Sequence, residues 1–282
     1  MNRTFFMGAA ALLTSIWAGL ALSACVGGPS EEDVRRSQAE YDLGVGLMQE
    51  RNVAGAFQHL REAIRFDPDN ADAHLLLGTL HLFRGEYDDS ERHLREALRA
   101  NAALGGAGRP ALNAEAENSL GVLYIHARRY DDAVAVLREA TGDLMNRTPH
   151  LAWGNLGWAY LEQGDHGQAE QALTQAVQLQ PRYCGGWYRL GQVHFTLGAE
   201  ADRQAAGDGQ ARFESAESAL THALEVEDEA CQRLQDAWRL RGETRARLGR
   251  RDEARSDFER CIELDRETES GRACSGFLEA SP

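Results

Sequence analysis

Lysine is absent from this sequence: all 30 basic residues are arginine, set against 44 acidic ones. The net charge of −14 argues against nucleic acid as a partner, because phosphate binding needs a cationic footprint. The short motifs of catalysis are missing too. There is no H-E-x-x-H and no G-x-S-x-G, and the nine histidines are scattered. His81 and His194 stand where a packing aromatic would suit, so they read as core filling. Carboxylates fall four residues from arginines, as in Glu91 and Arg95, which makes them helix-surface partners. No C-x-x-C occurs, which disfavours zinc and thioredoxin-like redox chemistry. The glycine-rich stretch 105–113 lacks the G-x-G-x-x-G arrangement and follows a helix, so it is no phosphate loop. Neither an enzyme nor a cofactor is expected.

What is present is periodicity. Residues 150–181 read as two amphipathic helices, the first carrying Trp153, Leu156, Gly157 and Tyr160, the second Ala169, Leu173 and Ala176. Gly164 ends the first and Pro181 stops the second. Trp, Leu-Gly, Tyr, Ala, a large apolar residue, Ala and Pro stand at positions 4, 7–8, 11, 20, 24, 27 and 32 of a 34-residue unit, the tetratricopeptide (TPR) pattern. One helix pair cannot bury its apolar face alone, so copies should flank it. The same frame fits 37–70 through Leu43-Gly44, Ala56, Leu60 and Ala63, and 71–104 through Leu77-Gly78, Leu94 and Ala97, with Ser90 replacing the small alanine. It fits again from about 114, through Leu120-Gly121, Ala133 and Leu137. A fifth unit, with Leu190-Gly191 and Leu220, is stretched by 13 residues, and a sixth, with Gly242, Ala254 and Phe258, is weaker. The expected fold is an all-α superhelical solenoid of about six repeats over 37–268, interrupted at 105–113 (a loop or hinge) and at 198–213. The second interruption should lengthen both helices of repeat five into a protruding hairpin. Repeat six carries Arg241, Arg245, Arg247, Arg250 and Arg251, and reads as a polar capping repeat or an arginine-rich binding face. Residues 269–282 are left as a tail.

Residues 1–24 stand apart. An apolar run from Phe5 to Leu22 ends in Leu22-Ser23-Ala24-Cys25, which resembles a bacterial lipobox. That implies cleavage before Cys25, which would carry diacylglycerol and an N-acyl chain, with 25–36 as lipidated cysteine and tether. An uncleaved membrane anchor is the alternative reading of the run. Valine rather than aspartate after the cysteine favours the outer membrane, periplasmic face. The other four cysteines, Cys184, Cys231, Cys261 and Cys274, suggest two disulfides in an exported chain. Of the three possible connectivities, the side-by-side helix starts of adjacent repeats favour Cys184 with Cys231, and Cys274 would then tie back to Cys261.

Function should sit in the groove lined by first helices, at positions 2, 5, 9, 12 and 13 of each unit. Candidates there are Tyr41, Phe83, Asn118, Trp158, Tyr188 and Phe195, with Ile125 among their neighbours. An apolar groove suits an amphipathic helix or extended peptide. Asn155 and Arg189 share position 6 of consecutive repeats, part of a carboxylate clamp that lacks its lysines.

Lipobox, short tether and about six TPR units together resemble the type IV pilus pilotin family (PilF/PilW and the Tgl type), with Trp153-Gly-Asn-Leu-Gly-Trp-Ala-Tyr-Leu and the later cysteines nearest the Tgl type. The resemblance implies an outer-membrane lipoprotein that binds secretin subunits and promotes their localisation and multimerisation. Adaptors that scaffold peptidoglycan enzymes are the alternative.

Overall fold

Each helix pair closes where a glycine meets a large side chain. A Cβ added at Gly157 would lie 2.5 Å from Leu173, so only glycine lets these two helices come so close. Gly44, Gly78, Gly121 and Gly191 abut a leucine, and Gly242 abuts Phe258, in the same way. The computed structural model describes residues 28–204 and 207–280. Cys25 and the leader before it lie outside the described residues, as do Ala205 and Ala206 within the second interruption.

Six helix pairs follow one another: α1 (Glu31–Gln49) with α2 (Val53–Phe66), α3 (Ala71–Phe83) with α4 (Tyr87–Ala103), α5 (Pro110–His126) with α6 (Tyr130–Gly142), and α7 (Pro149–Gln163) with α8 (His166–Leu179). Then come α9 (Cys184–Arg203) with α10 (Gly209–Glu225), a short α11 (Glu229–Gln232), and α12 (Gln235–Arg247) with α13 (Arg251–Leu264). A last helix, α14 (Glu269–Ala280), follows. Among the described residues there is no strand. Gly164 ends α7 in the left-handed region, at φ 81°. The alanines at positions 20 and 27 are buried, and Ser90 keeps the rule by donating its hydroxyl hydrogen to the Gly78 carbonyl at 2.7 Å. Tyr124 and Tyr160, both at position 11, take hydrogen bonds from Arg95 (3.0 Å) and Arg138 (2.6 Å) of the preceding pair. Repeats two, three and four are thereby tied in series.

Several expectations need correcting. The stretch 105–113 is no hinge: α5 begins at Pro110, and Asn101 holds the Arg109 backbone through N–H and carbonyl, both at 2.8 Å. Arg109 also pairs with Asp72 at 2.5 Å. The lengthened helices α9 and α10 do not stand free of the stack. Phe213 is buried against Phe195, Arg212 reaches Glu170 of α8 at 3.1 Å, and Asp202 lies 3.6 Å from Arg247 of α12. Residues 269–280 are a helix rather than a tail. Its Cys274 is fully buried and its Phe277 stacks on Phe258 at 4.8 Å, so α14 covers the last pair.

Of the arginines of repeat six, Arg241 and Arg245 turn inward rather than onto a polar outer face, while Arg247, Arg250 and Arg251 stay exposed. Arg241 and Asp257 are both buried and share two hydrogen bonds, at 3.0 and 2.7 Å. Arg245 bridges Asp257 (2.9 Å) and Glu217 (3.0 Å), and Arg250 reaches Glu217 at 2.6 Å. The ionic chain crosses from α10 to α12 and α13. Charges taken out of water persist only when paired this completely.

Repeat two holds a buried histidine cluster. His74 Nδ1 and His93 Nδ1 lie 2.9 Å apart, and His81 stacks on His93 with centroids 5.4 Å apart. The Pro68 carbonyl accepts from His74 Nε2, so a neutral His74 takes the proton of His93 at Nδ1, and the contact excludes only protonation of both rings. Burial, then the charge of Arg92 and the rings of His74 and His81, pushes His93 down to about 4. Asp89 opposes this weakly. His74 is also held below its ordinary value, chiefly by burial. The unfolded chain therefore binds protons that the folded chain refuses, and stability should fall as pH drops from about 6.5 towards about 4. Each pH unit should cost up to about 1.4 kcal/mol per histidine. Denaturant titrations across that window test this, with His93→Gln expected to flatten the decline.

Candidate peptide-binding groove

From α3 onwards the first helices of successive pairs touch one another: α3 with α5, α5 with α7, α7 with α9, and α9 with α12. Their second helices have no comparable contact with each other. The stack therefore bends with its first helices inside, and side chains on their free face line the groove.

Phe83, at the end of α3, is 83% exposed, the largest aromatic surface open to solvent among the described residues. With Leu82, Thr79, Val122 and His126 it borders a cleft of about 520 Å³ between α3 and α5. The His126 ring meets Trp158 of α7 edge-on at 5.3 Å, and Tyr87 stacks on His126 at 6.4 Å. Trp158 donates Nε1–H to Glu162 at 3.1 Å, which fixes its ring. The Arg189 guanidinium of α9 lies 4.3 Å from the centre of that ring. Phe83, His126, Trp158 and Arg189 thus run across four consecutive first helices.

The other candidates are placed differently. Asn155 is buried and donates to Asn118 Oδ1 at 2.9 Å, so each amide is partly used by the other. Tyr188 accepts from Gln192 at 2.9 Å and packs partly against the α10–α12 core. Burial, helped by Asp236, pushes its hydroxyl up to about 12, leaving it a neutral donor. It borders a second cleft of about 510 Å³ with Asp236, Arg239 and Ser270. Tyr41 is half-buried against the Leu60 and Leu77 cluster. Phe195 is half-buried and faces Phe213 of the lengthened pair at 5.6 Å. Ile125 is buried in the central core, and its neighbour His126 takes the groove position. Position 13 of the third unit carries that histidine, so the register could have shown it.

The remaining cysteines are paired as Cys184–Cys231, 47 residues apart, and Cys261–Cys274, 13 apart. The first joins the start of α9 to α11, and the second joins α13 to α14.

Tetratricopeptide repeat family models match residues 47–104, 150–183 and 235–268. No curated protein matches the sequence. Among solved structures, Pseudomonas aeruginosa PilF is similar at a TM-score of 0.68 with 19% identity, over 89% of this chain and 100% of that one. PilW, a widely conserved type IV pilus biogenesis factor, is similar at 0.66 with 20% identity, over 84% and 97%. The Cut9-Hcn1 heterotetramer of the APC/C reaches 0.68 with 12% identity, over 86% and 42%, so the curvature alone is not peculiar to pilus proteins. Repeat matches and fold together make this chain an all-α tetratricopeptide-repeat solenoid.

Proposed function

We propose that the chain is an outer-membrane lipoprotein that binds secretin subunits in its groove and promotes their localisation and multimerisation, as a pilotin does. The observation that carries this reading is the aromatic row on the inner face, with Phe83 and His126 exposed and Trp158 half-exposed beside them. Aromatic side chains in a concave, apolar setting are frequent hot spots for peptides. Likeness in fold to two pilus biogenesis factors over nearly their whole length supports that class of partner, and the lipobox-like Leu22-Ser23-Ala24-Cys25 supports the anchor. Acyl chains at Cys25 would confine the protein to a surface and raise its local concentration at the assembling ring. A concave, partly apolar groove suits a peptide binder.

The test is pull-down of secretin subunits by the double variant Phe83→Ala, Trp158→Ala. Phe83 is open to solvent, whereas Trp158 is half-buried against the central core, so the variant's melting temperature and circular dichroism are read beside its binding. Binding should weaken by roughly 30-fold or more for each hot spot lost. Unchanged capture by a folded variant would rule the groove out.

A further inference from the structure

Among the described residues, five arginines are partly or fully buried: Arg189, Arg212, Arg239, Arg241 and Arg245. Four have a carboxylate within 4.0 Å, namely Glu170 for Arg212, Glu243 for Arg239, Asp257 for Arg241, and Glu217 for Arg245. Arg189 has none. Its one hydrogen bond within the described residues is a long contact of 3.4 Å to the Gly185 carbonyl of its own helix. Burial destabilises its charged form relative to water. A guanidinium has five N–H donors in a fixed fork and keeps its charge in proteins. In a chain of net charge −14, where other half-buried arginines find an acid, an unpaired one needs explaining.

The Trp158 ring supplies part of the explanation. It holds the guanidinium at 4.3 Å, and Trp158 is itself fixed by Glu162. One face of the fork is thus stacked on an aromatic plane, which orients its N–H edge without consuming the donors. Arginine stacked on an aromatic face and free at its edge is arranged for bidentate recognition of a carboxylate.

We propose that Arg189 is an anion anchor in the groove, taking the carboxylate of one acidic side chain on the bound peptide. The apolar side chains of the same peptide fill the neighbouring cleft between Phe83 and His126. This rests on the groove reading and adds the partner's chemistry: an aspartate or glutamate flanked by bulky apolar residues. It is a single anchor rather than a two-amide clamp, because Asn118 and Asn155 are hydrogen-bonded to each other.

The test selects short random displayed peptides on the full chain. Those lost on the Phe83→Ala, Trp158→Ala variant are kept and resynthesised with amidated C-termini. The kept peptides should carry Asp or Glu. Changing that residue to Gln or Asn, or Arg189→Gln in the protein, should each weaken binding roughly ten- to hundredfold. The two losses should not add, since they break one contact. Arg189→Lys should recover only part of the loss, lacking the planar fork. The peptide-side change leaves the protein untouched, so a folding defect in Arg189→Gln cannot mimic the result. Trp158-dependent peptides indifferent to Arg189→Gln, or losses that simply add, would overturn the anchor while leaving the groove. Binding that needs a free C-terminal carboxylate would overturn the side-chain assignment. Recovery of no Trp158-dependent peptide would sink the groove reading, and this inference with it.

Discussion

Asp257→Ala should cost about 3–5 kcal/mol of stability, the range for removing one partner from a buried ion pair. Asp257 is 1% exposed and accepts two hydrogen bonds from Arg241 and one from Arg245. Its removal leaves Arg241 buried with one side-chain hydrogen bond, to Thr221 at 3.3 Å, and the face of the Trp238 ring at 4.7 Å. Arg245 keeps Glu217, so the damage centres on Arg241. Asp257→Asn preserves the volume and should still lose most of that stability, because a neutral amide does not offset two cations. Replacing Arg241 and Asp257 together by apolar residues should cost far less, since no uncompensated charge remains. Urea unfolding followed by far-UV circular dichroism measures the loss. A loss below about 1 kcal/mol, the level of an exposed pair, would mean that water reaches the network.

Cys231→Ser is the second large effect expected. The Cys184–Cys231 bond closes a span of 47 residues, against 13 for Cys261–Cys274. In the loop-entropy account the longer closure contributes about 4 kcal/mol and the shorter about 3. Cys231→Ser should therefore destabilise more than Cys274→Ser, and reductant should lower the melting temperature of the native chain but not of a variant lacking all four cysteines. An unchanged melt on full reduction would contradict this. The longer bond and the Asp257 network span the same junction between repeats five and six. Their losses should be non-additive, because elements sharing a junction are coupled.

That junction also shows where sequence reading stops. The glycine-to-leucine contacts were legible because each depends on a fixed spacing within one unit, as Gly157 and Leu173 do. The burial of Arg241 was not. Its partner Asp257 is on the next helix, and Glu217 comes from another repeat, so nothing local distinguishes these charges from solvated ones. Helix α14 was hidden for a different reason. Gly271 and Gly276 make 269–280 a poor helix by propensity, and packing of Cys274 and Phe277 on α13 overrides it. In the groove, the frame pointed to Trp158 directly. It gave Ile125 in place of His126, since two adjacent positions both face inward in the repeat pattern and packing decides between them. The free state of Arg189 has no signature in sequence at all, because it depends on which acids fail to reach it.

Deletion of the gene tests the proposed assembly of secretin rings. Unheated gels blotted for the secretin would be read beside a twitching assay, with complementation by wild type and by Cys25→Ala. The account predicts loss of multimers with monomers still present, loss of twitching, rescue by wild type, and poor rescue by the unlipidated variant. Normal multimers and normal motility in the deletion strain would contradict it, and would turn the search towards peptidoglycan enzymes as the groove's partners.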